Sequence, residues 1–411
     1  MLRRVLILAL AVAIAPGCGT VSKVKGWFGS DKPSAKLNEP RELVEFVPSL
    51  AVNRLWSTGL GDGEGRRWLR LRPTVDGNRV YAVDDQGIVR AYDAASGKVV
   101  WETRAVEVRT EREMKSLWLR KSAEAGLTSS PGVGYGLVVV GGRNGEVVAM
   151  DAGTGAQKWT VKVTSEVLGA PLVLADKVIV RANDCRVFGL GSADGARKWV
   201  FDRGLPTLSL RGNSPPVAGH GMVYIGYDDG SVIALREGDG LRAWEQRVAE
   251  PDGRTELDRV ADIDGELQVG ADEIFAASYH GQVMALSPGN GRPLWNRDIG
   301  SANGVALAGD KVILSDTEGN VWALERATGN AIWKQDVLLR RQLTTPVVQG
   351  DYVVVGDLEG YLHWLRLSSG EIVGRTRLGN EALRGTPQIS PDGVLFALNT
   401  EGELAAYQLG N

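Results

Sequence analysis

One short stretch recurs along the chain and constrains its fold more than any other feature. Its clearest copy is Asn144-Gly145-Glu146-Val147-Val148-Ala149-Met150-Asp151, followed by Thr154-Gly155 and then Trp159. A turn glycine leads into alternating apolar residues, a second polar-Gly turn follows, and a tryptophan comes four residues later. Such self-similarity decides the architecture before any local reading does.

The first copy is Gln86-Gly87-Ile88-Val89-Arg90-Ala91-Tyr92-Asp93, with Ser96-Gly97 and Trp101. The third is degenerate: Cys185 stands where the others have glycine, ahead of Asp194-Gly195 and Trp199. The fourth, fifth and sixth copies turn at Gly230, Gly281 and Gly319 and carry Trp244, Trp295 and Trp333. The seventh turns at Gly360 and has Gly374 in place of the tryptophan; the eighth turns at Gly402, and the chain stops before its tryptophan strand.

Period-two apolar alternation marks a strand with one face in a core. The Asp-Gly, Asn-Gly and Ser-Gly pairs supply the positive φ angles of hairpin turns. A Val-rich strand such as Leu137-Val138-Val139-Val140 precedes most copies, and a Pro-led start such as Ser130-Pro131 or Thr345-Pro346 precedes that. Each unit is therefore expected to hold four strands, the last beginning at the tryptophan. Gly87 to Gly402 spans 315 residues over seven intervals, a mean of 45, which suits a propeller blade. The spacing predicts an all-β, eight-bladed β-propeller with four antiparallel strands per blade. An orphan Leu55-Trp56 strand before the first copy supplies what the eighth lacks. Pairing it with the C-terminal blade closes the ring and removes an open edge.

The 53 glycines and 12 tryptophans follow from this repeat and need no functional account. A net charge of −3 without long runs of like charge argues against a nucleic-acid footprint.

The N-terminus differs in kind. Arg3-Arg4 precede an apolar run from Val5 to Ile14, then Ala15-Pro16-Gly17-Cys18. This is a secretory signal and is too short for a membrane span. The cysteine after small residues resembles a bacterial lipobox, with Ala15 where leucine is usual, and implies acylation at Cys18. The alternative is ordinary cleavage with a free cysteine. Gly19 after the cysteine, where that family's retention signal would be Asp, favours the outer membrane. We read 1–17 as signal peptide, 18–48 as lipidated N-terminus and flexible tether, and 49–411 as the propeller. Cys185 reads as a small residue in a tight hairpin.

Two insertions stretch the period, at about 106–127 and 248–262, and a longer connection, Leu205-Pro206-Thr207-Leu208-Ser209-Leu210-Arg211-Gly212, joins the third and fourth repeats. Loops on a rigid scaffold commonly carry binding, although Leu208 and Leu210 also suit core filling. Gly61-Asp62-Gly63-Glu64-Gly65 reads as a flexible loop, since it neither follows a clear strand nor opens a helix. No catalytic constellation is present: His220, His280 and His363 fall in separate repeats, and no metal-ligand spacing, HExxH or GxSxG occurs. No cofactor and no metal are expected.

The Ala-Leu-Asp-like strand end, Thr-Gly turn and tryptophan resemble the quinoprotein propellers, which hold pyrroloquinoline quinone beside calcium. That resemblance implies, as the alternative reading, a quinone-dependent dehydrogenase. Those enzymes are longer, and many carry an adjacent-cysteine disulfide that this chain cannot make. A closer resemblance, over nearly the whole chain, is to the BamB family of outer-membrane propeller lipoproteins. It rests on Leu208 to Gly212, on Thr255-Glu256-Leu257-Asp258-Arg259 running into Asp262-Ile263-Asp264, on Leu338 to Pro346, and on Val355-Gly356-Asp357 through Trp364. The resemblance implies a non-enzymatic scaffold that faces the periplasm and binds the periplasmic domains of BamA in the β-barrel assembly (BAM) complex; raising encounter with unfolded barrel substrates there, or receiving their strands at blade edges, are two open mechanisms. It places partner binding at Leu208, Leu210, Arg211, Asp262 and Asp264. Asp262 and Asp264, two apart on an extended segment, are expected to point the same way and hold Arg211. A propeller serving another envelope complex is the remaining alternative.

Overall fold

The structure is a computed structural model and describes residues 39–65, 67–106, 126–204, 214–249, 261–279 and 281–410. Cys18, Leu208, Leu210 and Arg211, His280 and nearly all of the 106–127 insertion lie outside the described residues.

The described strands form eight four-stranded antiparallel sheets, with no helix among the described residues. Blade two shows the pattern: Gly132–Gly134, Leu137–Gly141, Glu146–Asp151 and Gln157–Lys162. First strands of neighbouring blades touch near the axis, as Thr74–Asp76 of blade one does with Gly132–Gly134 of blade two, and Thr74–Asp76 also meets Gln388–Ile389 of blade eight. Blade eight takes its outermost strand from the other end of the chain. Val52–Gly59 pairs with Glu403–Leu409, setting Trp56 opposite Ala406. The expected closure is therefore present.

The repeat's chemistry has a packing cause. On the third strand a small residue faces the tryptophan: Ala91 with Trp101, Ala149 with Trp159, Gly189 with Trp199. Each pair sits beside a bulge, as between Ala149 and Met150. The outermost strand begins two residues before the tryptophan, at Gln157 ahead of Trp159 and not at the tryptophan as expected. The bulge accommodates this, because Met150 already pairs with Gln157 and leaves Lys158 as the extra residue.

Most of these tryptophans also donate to the next blade, Trp199 being the exception, its indole N–H without a partner among the described residues. The Trp101 indole N–H donates to the Ala152 carbonyl at 3.0 Å, and Trp159 does the same to Ser192 at 2.8 Å. A Cβ on Gly155 would lie 2.5 Å from the Trp101 ring, and its φ is 73°. That glycine is required twice over, by the turn and by the indole above it. Cys185 adopts φ 65° at the other turn, and burial pushes its thiol up, away from thiolate chemistry.

Blade seven inverts the pair. Trp364 lies on the third strand, Tyr361–Arg366, opposite Gly374 on the outermost strand, Ile372–Arg377. The reason lies at the N-terminal end. Residues from Pro40 belong to the propeller's compact unit. The Ser49 and Leu50 amides both donate to the Val373 carbonyl at 3.0 Å. Leu50 lies 3.4 Å from where a Gly374 Cβ would stand, so a tryptophan there would displace it.

A buried polar network ties down the same segment. Arg341 bonds Asp357 at 2.7 Å, Glu359, and the Arg41 carbonyl at 3.0 Å. His363 Nε2 meets Asp357 at 2.9 Å, and Arg375 donates to His363 Nδ1 at 3.2 Å and to the Val44 carbonyl at 3.1 Å. These bonds require His363 neutral with its proton on Nε2.

Candidate functional site

In each blade the connection from the previous blade enters the innermost strand, so all connections reach the axis on one face. Arg72, Ser130, Leu168, Pro215, Asp264, Asn303, Thr345 and Thr386, one from each connection, line an axial cavity of about 110 Å³. The axis is cross-braced. Arg72, entering blade one, meets Glu266, entering blade five on the opposite side of the ring, at 2.6 Å. Arg70 donates to the Ala302 carbonyl at 2.9 Å. Arg384 pairs with buried Glu64 and lays its guanidinium 3.7 Å from the Trp68 ring centroid. Gly61–Gly65 closely follows strand Val52–Gly59 and, against the expectation of a flexible loop, is pinned at the seam of blades eight and one: Glu64 N donates to the Thr400 carbonyl at 3.1 Å and Asp85 N to the Gly63 carbonyl at 2.9 Å.

A quinone cofactor does not fit this axis. The cavity is well below the roughly 300 Å³ at which small-molecule sites begin, and the Arg72–Glu266 pair crosses it. A second hollow of about 380 Å³ beside it is lined by Trp68, Tyr279 and Gln342. Among the described residues no His, Cys, Asp or Glu group is arranged to hold a metal ion.

The described residues that follow the two connections singled out in the sequence meet near this axis. The hydroxyl of Ser214, at the far end of the 205–213 connection, donates to the Gly265 carbonyl at 2.8 Å. Ile263, fully buried, donates its amide to the Tyr227 carbonyl at 3.2 Å. The acidic residues beside it differ. Asp262 is buried, and its carbonyl accepts from the Tyr279 amide at 2.9 Å. Asp264 lines the axial cavity, and its Oδ1 has no hydrogen-bond partner among the described residues. The sequence held no signal for Arg72, Glu266 or Tyr227, because nothing local distinguishes them from other loop arginines, glutamates and turn aromatics.

Burial, with a smaller push from Asp228, raises the Asp264 carboxyl to about 6, while Arg70 and Arg181 pull the other way. Its folded pKa lies above the unfolded value near 3.9, so the folded state holds more protons and its stability falls as pH rises between those values. Asp264→Asn is expected to stabilise the protein by about 1–3 kcal/mol near neutral pH, narrowing toward about pH 5. Thermal melts at both pH values check this; an equal gain at each would contradict it.

The fold and its braced axis define a closed eight-bladed β-propeller whose connection face is the candidate binding surface. Comparison with known proteins agrees on the fold. The family model for "Outer membrane protein assembly factor BamB" matches residues 52–111 and 110–335. A BamB from Xanthomonas campestris pv. campestris is 43% identical over 411 residues, covering 100% of this chain and 98% of that one. The Escherichia coli BamB is 33% identical over 395 residues, covering 96% and 95%. The crystal structure of BamB from Moraxella catarrhalis superposes with a TM-score of 0.76 at 30% identity, over 87% of this chain and 100% of that one. Quinohemoprotein alcohol dehydrogenase from Comamonas testosteroni, at 14% identity and a TM-score of 0.66, shares the fold alone. The chain belongs to the outer membrane protein assembly factor BamB family.

Proposed function

We propose that this chain is the non-enzymatic propeller subunit of an outer-membrane β-barrel assembly complex. It is lipid-anchored at Cys18, faces the periplasm and binds the periplasmic domains of BamA. Leu208, Leu210 and Arg211 supply the apolar anchors and charged rim of the contact, and Asp262 and Asp264 flank it. Small interfaces of this composition concentrate their energy in a few such residues.

One observation carries this reading. Ser214, just past the first connection, donates to the Gly265 carbonyl next to Asp264, whose Oδ1 has no hydrogen-bond partner among the described residues. A half-buried charge kept at a cost to stability is characteristic of a functional site. The test is retention of BamA from detergent-solubilised membranes by wild type and by a folded Leu210→Ala, Arg211→Ala variant. Wild type is expected to retain BamA and the variant to lose it. Failure of wild type to retain it would reject the assignment.

A further inference from the structure

We infer that the hollow beside the axis is a carbohydrate site. Trp68 is the platform on which one hexopyranose ring of a glycan stacks, and Arg70, Asn303 and Gln342 hydrogen-bond its hydroxyls. The inference goes beyond the partner contact above and uses none of its residues.

The platform is exposed on a strained backbone. Trp68 is 66% exposed, whereas Trp101 and Trp159 of the repeat are buried. Its φ is 56°, and Arg70 follows at 54°. In the connection that enters blade seven, Arg340 and Gln342 repeat the pattern at 60° and 48°. These left-handed values are unfavourable for any residue with a Cβ. Four of the seven non-glycine residues with positive φ among the described residues therefore fall in two connections. In both, the leucine that follows is buried, Leu69 in one and Leu343 in the other, while Trp68, Arg70 and Gln342 line the hollow. Strain of this kind persists where it places side chains for function.

The platform is also braced from behind. The Arg384 guanidinium stacks 3.7 Å from the indole ring centroid and pairs with Glu64, which is 3% exposed. The other oxygen of Glu64 accepts from the Arg70 amide at 3.1 Å. One buried carboxylate thus fixes both the stack and the strained segment, and the uncovered face of the indole is left for a ligand. Two stretches that the partner contact leaves unused find a role here: Gly61 to Gly65 supplies Glu64, and Leu338 to Pro346 supplies Gln342.

The lining selects the ligand. The Trp68 indole N–H and the Gln342 amide make no hydrogen bond to another described residue. Asn303 spends its Nδ2 on the Leu343 carbonyl at 2.8 Å and on Ser315 Oγ at 3.2 Å, which leaves Oδ1 to accept. The charges balance: Glu64 neutralises Arg384, and Arg70 faces Asp316, whose carboxylate is already held by the Asn320 and Trp322 side chains at 2.6 and 2.8 Å. No excess charge is therefore offered to a phosphate or a carboxylate. The large aliphatic residue of the lining, Leu343, is 5% exposed, so a peptide side chain finds no apolar cleft. A hexopyranose matches instead. Its C–H face is electropositive and packs on the negative face of an indole, and its hydroxyls both donate and accept, as the asparagine and glutamine amides require. The volume of about 380 Å³ lies within the range of small-ligand sites.

The test titrates the whole chain, labelled at its indole nitrogens, with maltotriose, cellotriose and triacetylchitotriose up to about 20 mM, and separately with a blocked Gly-Phe-Glu-Gly peptide. The Trp68 indole signal is the one missing from Trp68→Gly, where glycine adopts the positive φ without strain. At least one trisaccharide is expected to shift that signal with a Kd of about 1–10 mM or lower, and the peptide to leave it in place. By calorimetry, Trp68→Gly should weaken that sugar at least about tenfold and Gln342→Ala about threefold, with melting temperatures within about 2 °C of wild type. Leu210→Ala should bind the sugar as wild type does, whatever its effect on BamA. Gln342→Ala, which changes an exposed side chain, decides the matter if Trp68→Gly does not fold. No shift with any of the sugars overturns the proposal. A shift with the peptide alone makes the hollow a peptide site and overturns it too. Sugar binding that survives Trp68→Gly unchanged puts the sugar elsewhere and likewise overturns it.

Discussion

Replacing Trp364 with alanine is expected to destabilise the propeller by about 3–5 kcal/mol. The side chain is fully buried, sits edge-on to Tyr407 with centroids 6.2 Å apart, and donates its indole N–H to Gln349 Oε1 at 2.8 Å. Removing it opens a cavity and also leaves a buried amide oxygen without that donor. The informative companion is the swap Trp364→Ala, Gly374→Trp, which restores the arrangement of the other blades. It should recover part of the stability, because the tryptophan again has a small residue opposite. It should not recover all of it, because the new indole takes the place of Leu50. The Ser49 and Leu50 amides, which donate to Val373, should then exchange faster. Full recovery with both amides still protected would show that Leu50 is not the reason for the inversion.

Arg341→Ala is expected to cost a similar amount, about 3–5 kcal/mol, because it breaks a buried ion pair by removing one partner. Asp357 is fully buried and Arg341 is 2% exposed. Pairing the change with Asp357→Asn should recover part of the loss, since no buried charge is then stranded. The carbonyl oxygen of the asparagine still accepts from the Glu359 and Tyr361 amides, which bond Asp357 at 2.9 and 3.0 Å. The wild-type network also sets an acid limit. Burial holds His363 below its ordinary value, with Arg375 and Arg341 adding to the effect and Asp357 opposing it. A depressed histidine contributes stability above its unfolded value near 6.5, and that contribution is lost as pH falls below it. Burial pushes Asp357 up, but His363, the Tyr361 amide and Arg341 outweigh it and hold the carboxyl low. Its contribution is present above about 3.9 and is lost as pH falls further. Chemical denaturation of the Asp264→Asn variant, which removes the opposing titration at the axis, should show stability falling between about pH 7 and 5 with release of residues 41–50. Constant stability across that range would contradict the tautomer assigned to His363.

Blade number and ring closure were legible in the sequence because they rest on local rules. Period-two alternation selects strands, turn glycines select hairpins, and the stray Leu55-Trp56 strand completes the eighth copy. The alternation in Glu146–Asp151 and the turn at Gly155 lie within a dozen residues of each other, so one window contains the whole signal. Gly374 was visible as a departure from the repeat, but its cause was not. The connections at Leu208 to Arg211 and at Asp262 and Asp264 were legible only as places where the period stretches and the chain resembles a family. The difference between Asp262 and Asp264 was not legible, since identical side chains two residues apart carry no local mark of which one reaches the axis.

By itself, then, the sequence determined the eight-bladed ring, its strand order and its closure. The tertiary structure alone decided what braces the axis, what covers blade seven and what supports the candidate site. Arg72 and Glu266 are 194 residues apart, and Arg341 and Arg41 are 300 apart. Such pairs obey no periodicity, because the folded ring, and not any neighbouring residue, brings the Arg72 guanidinium to the Glu266 carboxylate and the buried Arg341 guanidinium to the Arg41 carbonyl, and a buried group left unpaired is costly.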